Sequence, residues 1–166
     1  MRAKKNKSAN RRSKRGGAQI AEFGPALIVL LIFFFFPLID LLSVCVSYGL
    51  CMVLNYNQLH EASLLPASTA QNPSGVIMKG IPDQWLGGMG HFVKIQGYPK
   101  TVVTYRQGET GTDQITDQIV DVQTTVVCSP FLPIPIPIVN VPGMNGPMTF
   151  GISSERTMEN PDFANQ

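Results

Sequence analysis

The sequence predicts an α+β protein: a long N-terminal transmembrane helix that continues outside the membrane and packs on a small antiparallel sheet domain. Three observations carry this expectation. Residues 23–39 are uncharged and long enough for a bilayer; sequence compatible with a helix continues to about Leu65; and the second half holds three stretches of strand character separated by Gly and Pro. The expected division is a basic cytoplasmic leader at 1–17, a transmembrane and extended helix at 18–65, and an extracytoplasmic α+β domain at 66–166.

Charge is segregated along the 166 residues. Of the 13 Lys and Arg, eight lie between Arg2 and Arg15, and no acid precedes Glu22. After Gly17 there remain five basic and eleven acidic side chains. A basic head on an acidic body disfavours a compact soluble enzyme of even composition.

The head is followed by the span. Between Ala18 and Ile39 the only charged residue is Glu22. A membrane helix needs about 20 mainly apolar residues. Four consecutive phenylalanines, Phe33–Phe36, point all round a helix rather than to one face, which a soluble core does not require. The next Lys or Arg after the head is Lys79, so the positive-inside rule places the N-terminus in the cytoplasm and the bulk of the chain outside. A basic run can also be a nucleic-acid arm, but directly before a span it reads as a topology signal, and no nucleic-acid partner is expected. A secretory signal peptide would carry its small-residue cut site beyond the apolar stretch. Here Pro37-Leu-Ile-Asp40 follows, and Ser43-Val-Cys45 and Ser47-Tyr-Gly49 are weak candidates. The small residues that do look like a processing site, Gly16-Gly17-Ala18, come before it.

The order of basic head, Gly16-Gly17, Ala18-Gln-Ile-Ala, Glu22-Phe23 and apolar helix resembles a class III or type IV prepilin leader. Such leaders are cut after a Gly at the cytoplasmic membrane face, with a Glu fifth in the mature chain. A cut between Gly17 and Ala18 makes Glu22 the fifth residue; a cut after Gly16 would make it the sixth. Phe23 stands where Flp-type pilins of the tight-adherence system usually have Tyr. With Pro37 embedded in the apolar run and Leu38-Ile-Asp40 after it, residues 15–40 resemble a TadE-like pseudopilin. The Ser/Thr-rich, acidic tail from Ile152 to Pro161 is similar to TadE-like C-termini, while 60–150 adds nothing to the resemblance. A mature Flp pilin is much shorter, so the likeness is to a minor pseudopilin. Two departures stand out: Ala18 rather than an aromatic as the new N-terminal residue, and Pro25 close to the helix start.

The resemblance implies a minor subunit taking part in assembly of a Tad/Flp-type adhesive pilus or secretion apparatus. It would be processed by a prepilin peptidase and held in the inner membrane by one span. Its partners would be other pilins or pseudopilins, the inner-membrane assembly platform and membrane lipid. Glu22 and Phe23 would serve assembly. Elementary physics supports a role for Glu22: a carboxylate in lipid is costly, and a freed α-amine nearby, its own or a neighbour's, is a natural partner. A capping or interfacial Glu with no assembly role is the alternative. The competing functional class is an unprocessed single-pass membrane protein with an extracytoplasmic binding or envelope-interaction domain.

From Ala18 to Leu65 a helix would be about 72 Å long, over twice the roughly 30 Å hydrocarbon thickness. Half of it should therefore stand outside and pack on the following domain, with Leu54, Leu59 and Leu64-Leu65 in the contact and Pro66 at its end. Pro25 and Pro37 should kink or loosen it. Residues 66–100 hold six Gly, with Pro82 and Pro99, and read as irregular loop anchored inward by Trp85-Leu86 and Phe92-Val93. Strands are expected at Thr101–Arg106, Ile119–Cys128 and Met148–Ser153, with a turn at Gly108–Gly111. Asp113, Asp117 and Asp121 fall at helical spacing, against the alternation of Val120, Val122, Thr124 and Val126. Pro133, Pro135 and Pro137 alternate with Ile, so that segment reads as an edge or polyproline stretch.

The chemical inventory is sparse. Cys45 and Cys51 lie in the helix, Cys128 in the outer domain. With its helix partners assigned to the membrane, Cys128 reads as a buried apolar residue, with an intersubunit bridge as the alternative. His60 and His91 are the only histidines, and no pair has metal-ligand spacing. The three Asp lack a calcium-loop pattern and read as a solvated acidic face. Gly87-Gly-Met-Gly-His91 lacks the phosphate-binding pattern. No catalytic set, metal or cofactor is expected, and the chain is not read as an enzyme.

Overall fold

A computed structural model describes residues 23–110, 116–132 and 140–165. The leader 1–17, the Gly17–Ala18 bond, Glu22, the turn residue Gly111, Asp113 and the alternating Pro-Ile segment lie outside the described residues. The chain divides at Ile39/Asp40 into two units. Up to Ile39 the described structure is helix throughout. From Asp40 onward, one long apolar helix packs with a small three-stranded antiparallel sheet, an α+β arrangement.

Helix α1 runs Phe23–Leu64. Its end agrees with expectation within a residue, because Pro66 drives the residue before it out of the helical region. Pro37 leaves its mark where expected. It has no N–H for the carbonyl four residues back, and its ring crowds that carbonyl. The helix answers by widening into a π turn at Leu31–Phe35, in which the Phe36 N–H reaches the Leu31 carbonyl five residues back.

The sheet is a simple meander, β1 (Lys100–Thr110), β2 (Thr116–Cys128) and β3 (Met148–Thr157), with β2 in the centre. Each strand is longer than composition suggested. Gly108 to Thr110 belong to β1, beside a register shift between Gln107 and Thr110, rather than to a turn. The β-branched alternation wins over the helical spacing of the aspartates: Val120, Val122, Thr124, Val126 and Cys128 point to one buried face of β2. On the other face Asp121 accepts a hydrogen bond from Ser153 (2.8 Å), and Arg106 meets Glu155 at 2.6 Å. Both members of that ion pair are more than half exposed, so it adds little to stability.

Residues 66–100 are not irregular loop. They form α2 (Ala67–Ala70), a π turn (Val76–Gly80), α3 (Ile81–Gly87) and a 3-10 turn (Met89–Phe92). The Gly and Pro residues punctuate short helices instead of abolishing them. Pro66 and Gly75 precede helical starts, Pro82 stands in the first turn of α3, and Gly88 follows its end. Trp85 and Val93 are buried as expected and Leu86 packs against them, but Phe92 is 82% exposed and is no inward anchor.

Two apolar clusters lie between helix and sheet. One joins Cys51, Leu54, Trp85, Val126, Cys128 and Phe150. The other joins Leu59, Ala62, Ile77, Val103, Val120 and Val122. Leu54 and Leu59 thus make the expected contact, while Leu64 and Leu65 are only half-buried.

Candidate functional site

The most unusual surface of the protein is the first part of α1. The helix contains an 18-residue stretch of mean hydropathy 2.8, of which only 6% is buried, and it is long and apolar enough to cross a membrane. Phe33 and Phe34 are each about 70% exposed, and Ile28, Val29 and Leu30 more than half. A core helix of a soluble protein would be covered by its own fold; this one is not. Water would face a continuous apolar surface, whereas lipid or neighbouring apolar helices would cover it. Of the residues expected to serve processing and assembly, Phe23 is described, helical and 65% exposed. Gly17, Ala18 and Glu22 lie outside the described residues, so their mutual geometry is not part of the structure.

From Asp40 on, α1 becomes two-faced. Asp40, Ser47, Cys51, Leu54, Asn55, Gln58, Leu59, Ala62 and Ser63 are its buried positions, one stripe at three- and four-residue steps. The opposite side stays apolar, with Leu41, Leu42, Val46, Met52 and Tyr56 exposed.

The seam between this stripe and the sheet holds a polar layer between the two apolar clusters. Asn55 Nδ2 faces the Val122 carbonyl (2.8 Å), Thr124 Oγ1 (3.0 Å) and the Ile152 carbonyl (3.2 Å). Gln58 donates from Nε2 to the Ile77 carbonyl (2.7 Å) and to Thr101 Oγ1 (2.8 Å), and its Oε1 accepts from the Thr124 hydroxyl (2.7 Å). Asn55, Gln58 and Thr124 are essentially inaccessible to water. Buried amides cost free energy unless bonded, so the helix has one favourable axial position against the sheet. Elsewhere in the same unit, the Trp85 indole N–H donates to the Leu50 carbonyl (3.1 Å). Asp40 Oδ1 accepts the Leu132 N–H (2.8 Å), tying the chain after β2 to the helix.

Sequence reasoning missed Asn55, Gln58 and Asp40 as packing residues because polar side chains on a helix read as solvent-facing. The available signal was their spacing: Asn55 and Gln58 are neighbours of Leu54 and Leu59 on the same stripe. It also misplaced Cys51. That residue is buried under the sheet, next to Cys128, so the outer domain does not hold a lone cysteine. Cys128 is buried, as read.

Other features offer less chemistry. No group of three or more metal-ligating side chains occurs among the described residues. Asp117 is exposed and Asp121 half-buried on β2. An open groove of about 300 Å³ between α1 and α3 is lined by Val53, Asn57, Ile81, Gln84, Trp85 and Met89, without a charged group.

Comparison of the chain with protein-family models, with curated proteins and with solved structures found no match to any of them.

Proposed function

We propose that the chain is a TadE-like pseudopilin, a minor subunit taking part in assembly of a Tad/Flp-type adhesive pilus or secretion apparatus. The observation that carries this reading is an apolar helix left uncovered by its own fold, directly after the Gly17-Ala18 and Glu22-Phe23 motif. In this reading the helix crosses the inner membrane once. The basic head lies in the cytoplasm and the sheet domain in the periplasm or outside the cell. A prepilin peptidase cuts between Gly17 and Ala18. The chain supplies the bond and the peptidase the chemistry, so the protein is not an enzyme and needs no cofactor. Lipid covers the first part of α1. Other pilins or pseudopilins and the assembly platform meet the rest, where Met52 and Tyr56 keep the free side of the helix apolar beyond Leu42.

Glu22 follows from the same physics. After the cut its carboxylate would belong to the fifth residue of a chain that begins with a new positive amine, near the lipid boundary. Unpaired it is costly; paired with the amine of a neighbouring helix it fixes axial register in the bundle. Gly17 permits close approach of the peptidase because it has no side chain. Gly17→Val should therefore leave a full-length precursor that inserts normally and does not support piliation. Glu22→Gln and Glu22→Ala should be cut and stable in the membrane, yet give less crosslinked pilin complex per processed chain. Cleavage of Gly17→Val at the same bond would remove the reading; normal complex yield from both Glu22 variants would make Glu22 a helix-start residue only and remove its assembly role.

A further inference from the structure

Cys51 and Cys128 meet across the seam between α1 and β2. They are 0% and 3% exposed and share one apolar cluster with Leu54, Val126 and Phe150. Within that cluster the two thiols are neighbours. One turn along the helix, Asn55 bonds to Thr124 on the same inward face of β2, so this stretch of α1 is held against the strand that carries Cys128. The third cysteine, Cys45, is exposed and takes no part.

We propose that Cys51 and Cys128 are a redox pair that closes an intramolecular disulfide, stapling the helix to the central strand. The bond would close a loop of residues 51–128, and cross-linking so long a loop removes much of the freedom of the unfolded chain.

The chemistry balances with a disulfide donor, of the thiol–disulfide oxidoreductase class or oxidised glutathione. The thiolate of one cysteine attacks a donor sulfur, forming a mixed disulfide and expelling one donor thiolate. The thiolate of the other then attacks that cysteine's sulfur, forming the internal bond and expelling the second. Two electrons leave the chain, and the two thiol protons end on the donor sulfurs. Both cysteines are covered in the folded protein, so exchange occurs while the helix is undocked, and docking then shields the product.

That the bond forms in cells rests on the orientation proposed above, because disulfides persist outside the cytoplasm; that the pair can form it does not. The test uses the full chain with Cys45→Ser, purified in detergent. It is equilibrated with reduced or oxidised glutathione in urea low enough to undock the helix only transiently. After acid quenching and denaturation, free thiols are labelled with a mass-tagged maleimide. The expected result is two tags per monomer from the reduced buffer, none from the oxidised one, and a Tm raised by about 5 °C or more on oxidation. Two tags after oxidation, or only linked dimers, would overturn the proposal. The same labelling on acid-quenched cells separates the two claims. No tags before reduction and two after support both. Two tags in cells, with the bond formed in glutathione, uphold the pair and count against the outward orientation.

Discussion

Gln58 illustrates how a single side chain sets the fit of helix on sheet. Its amide bonds the Ile77 carbonyl, Thr101 and Thr124, with no access to water. Gln58→Leu keeps the volume but leaves the Thr124 hydroxyl and the Ile77 carbonyl buried without these partners. Each such loss costs about 1–3 kcal/mol. We expect the variant to be destabilised by at least about 2 kcal/mol in urea melts of the detergent-solubilised protein. Wild-type stability would mean the polar layer is not where the helix is held. The sequence announced none of this, since an amide beside leucines looks the same whether it faces solvent or a sheet carbonyl. Gly143 is a similar case. Its φ of +85° suits only glycine, and a Cβ there would come within 2.9 Å of the Val44 side chain. Nothing in the local sequence Val141-Pro-Gly-Met-Asn145 shows that a helix side chain lies against it.

At the scale of elements, the long helix and the three strands were legible because their signals are periodic and long. An uninterrupted apolar run of this length is a helix, and alternate valines on β2 outvote the helical spacing of Asp117 and Asp121. The short helices of 66–100 were not legible. Each is a turn or two long, too short for a period, and the Gly and Pro that bound them read as breakers in sequence. Pro37 loosens the helix as its missing N–H requires, and the π turn before it is the form the loosening takes. The first part of α1 supports a sharp prediction. Phe33 is 70% exposed, so Phe33→Lys disturbs nothing inside the protein. In a soluble protein it would be neutral. In a span, a charge near the centre costs about 2.5–3.5 kcal/mol of insertion, and more on some scales. We expect the variant to shift substantially from the alkali-resistant membrane fraction to the soluble one. Unchanged membrane retention would argue that residues 23–39 do not lie in lipid.

For the whole molecule, charge along the chain sets the expected topology. Eight of the 13 Lys and Arg precede the helix, and none stands between Arg15 and Lys79. Replacing Arg11, Arg12, Lys14 and Arg15 with Glu removes half of that head and adds opposing charge. A reporter fused after Gln166 should then lose a large part of its extracytoplasmic signal; an unchanged signal would show that the head does not orient the protein. The α+β class could be read from the sequence, but not the strand order or the seam. Those depend on contacts such as Asn55 to Ile152, residues 97 positions apart. The central claim, a pseudopilin matured at its leader, is tested most directly by mass spectrometry of the N-terminus of the protein isolated from its native membrane. The account predicts a chain that begins at Ala18 with a free or methylated α-amine. A chain that retains the basic head through Gly17 would contradict it and leave an unprocessed single-pass membrane protein in its place.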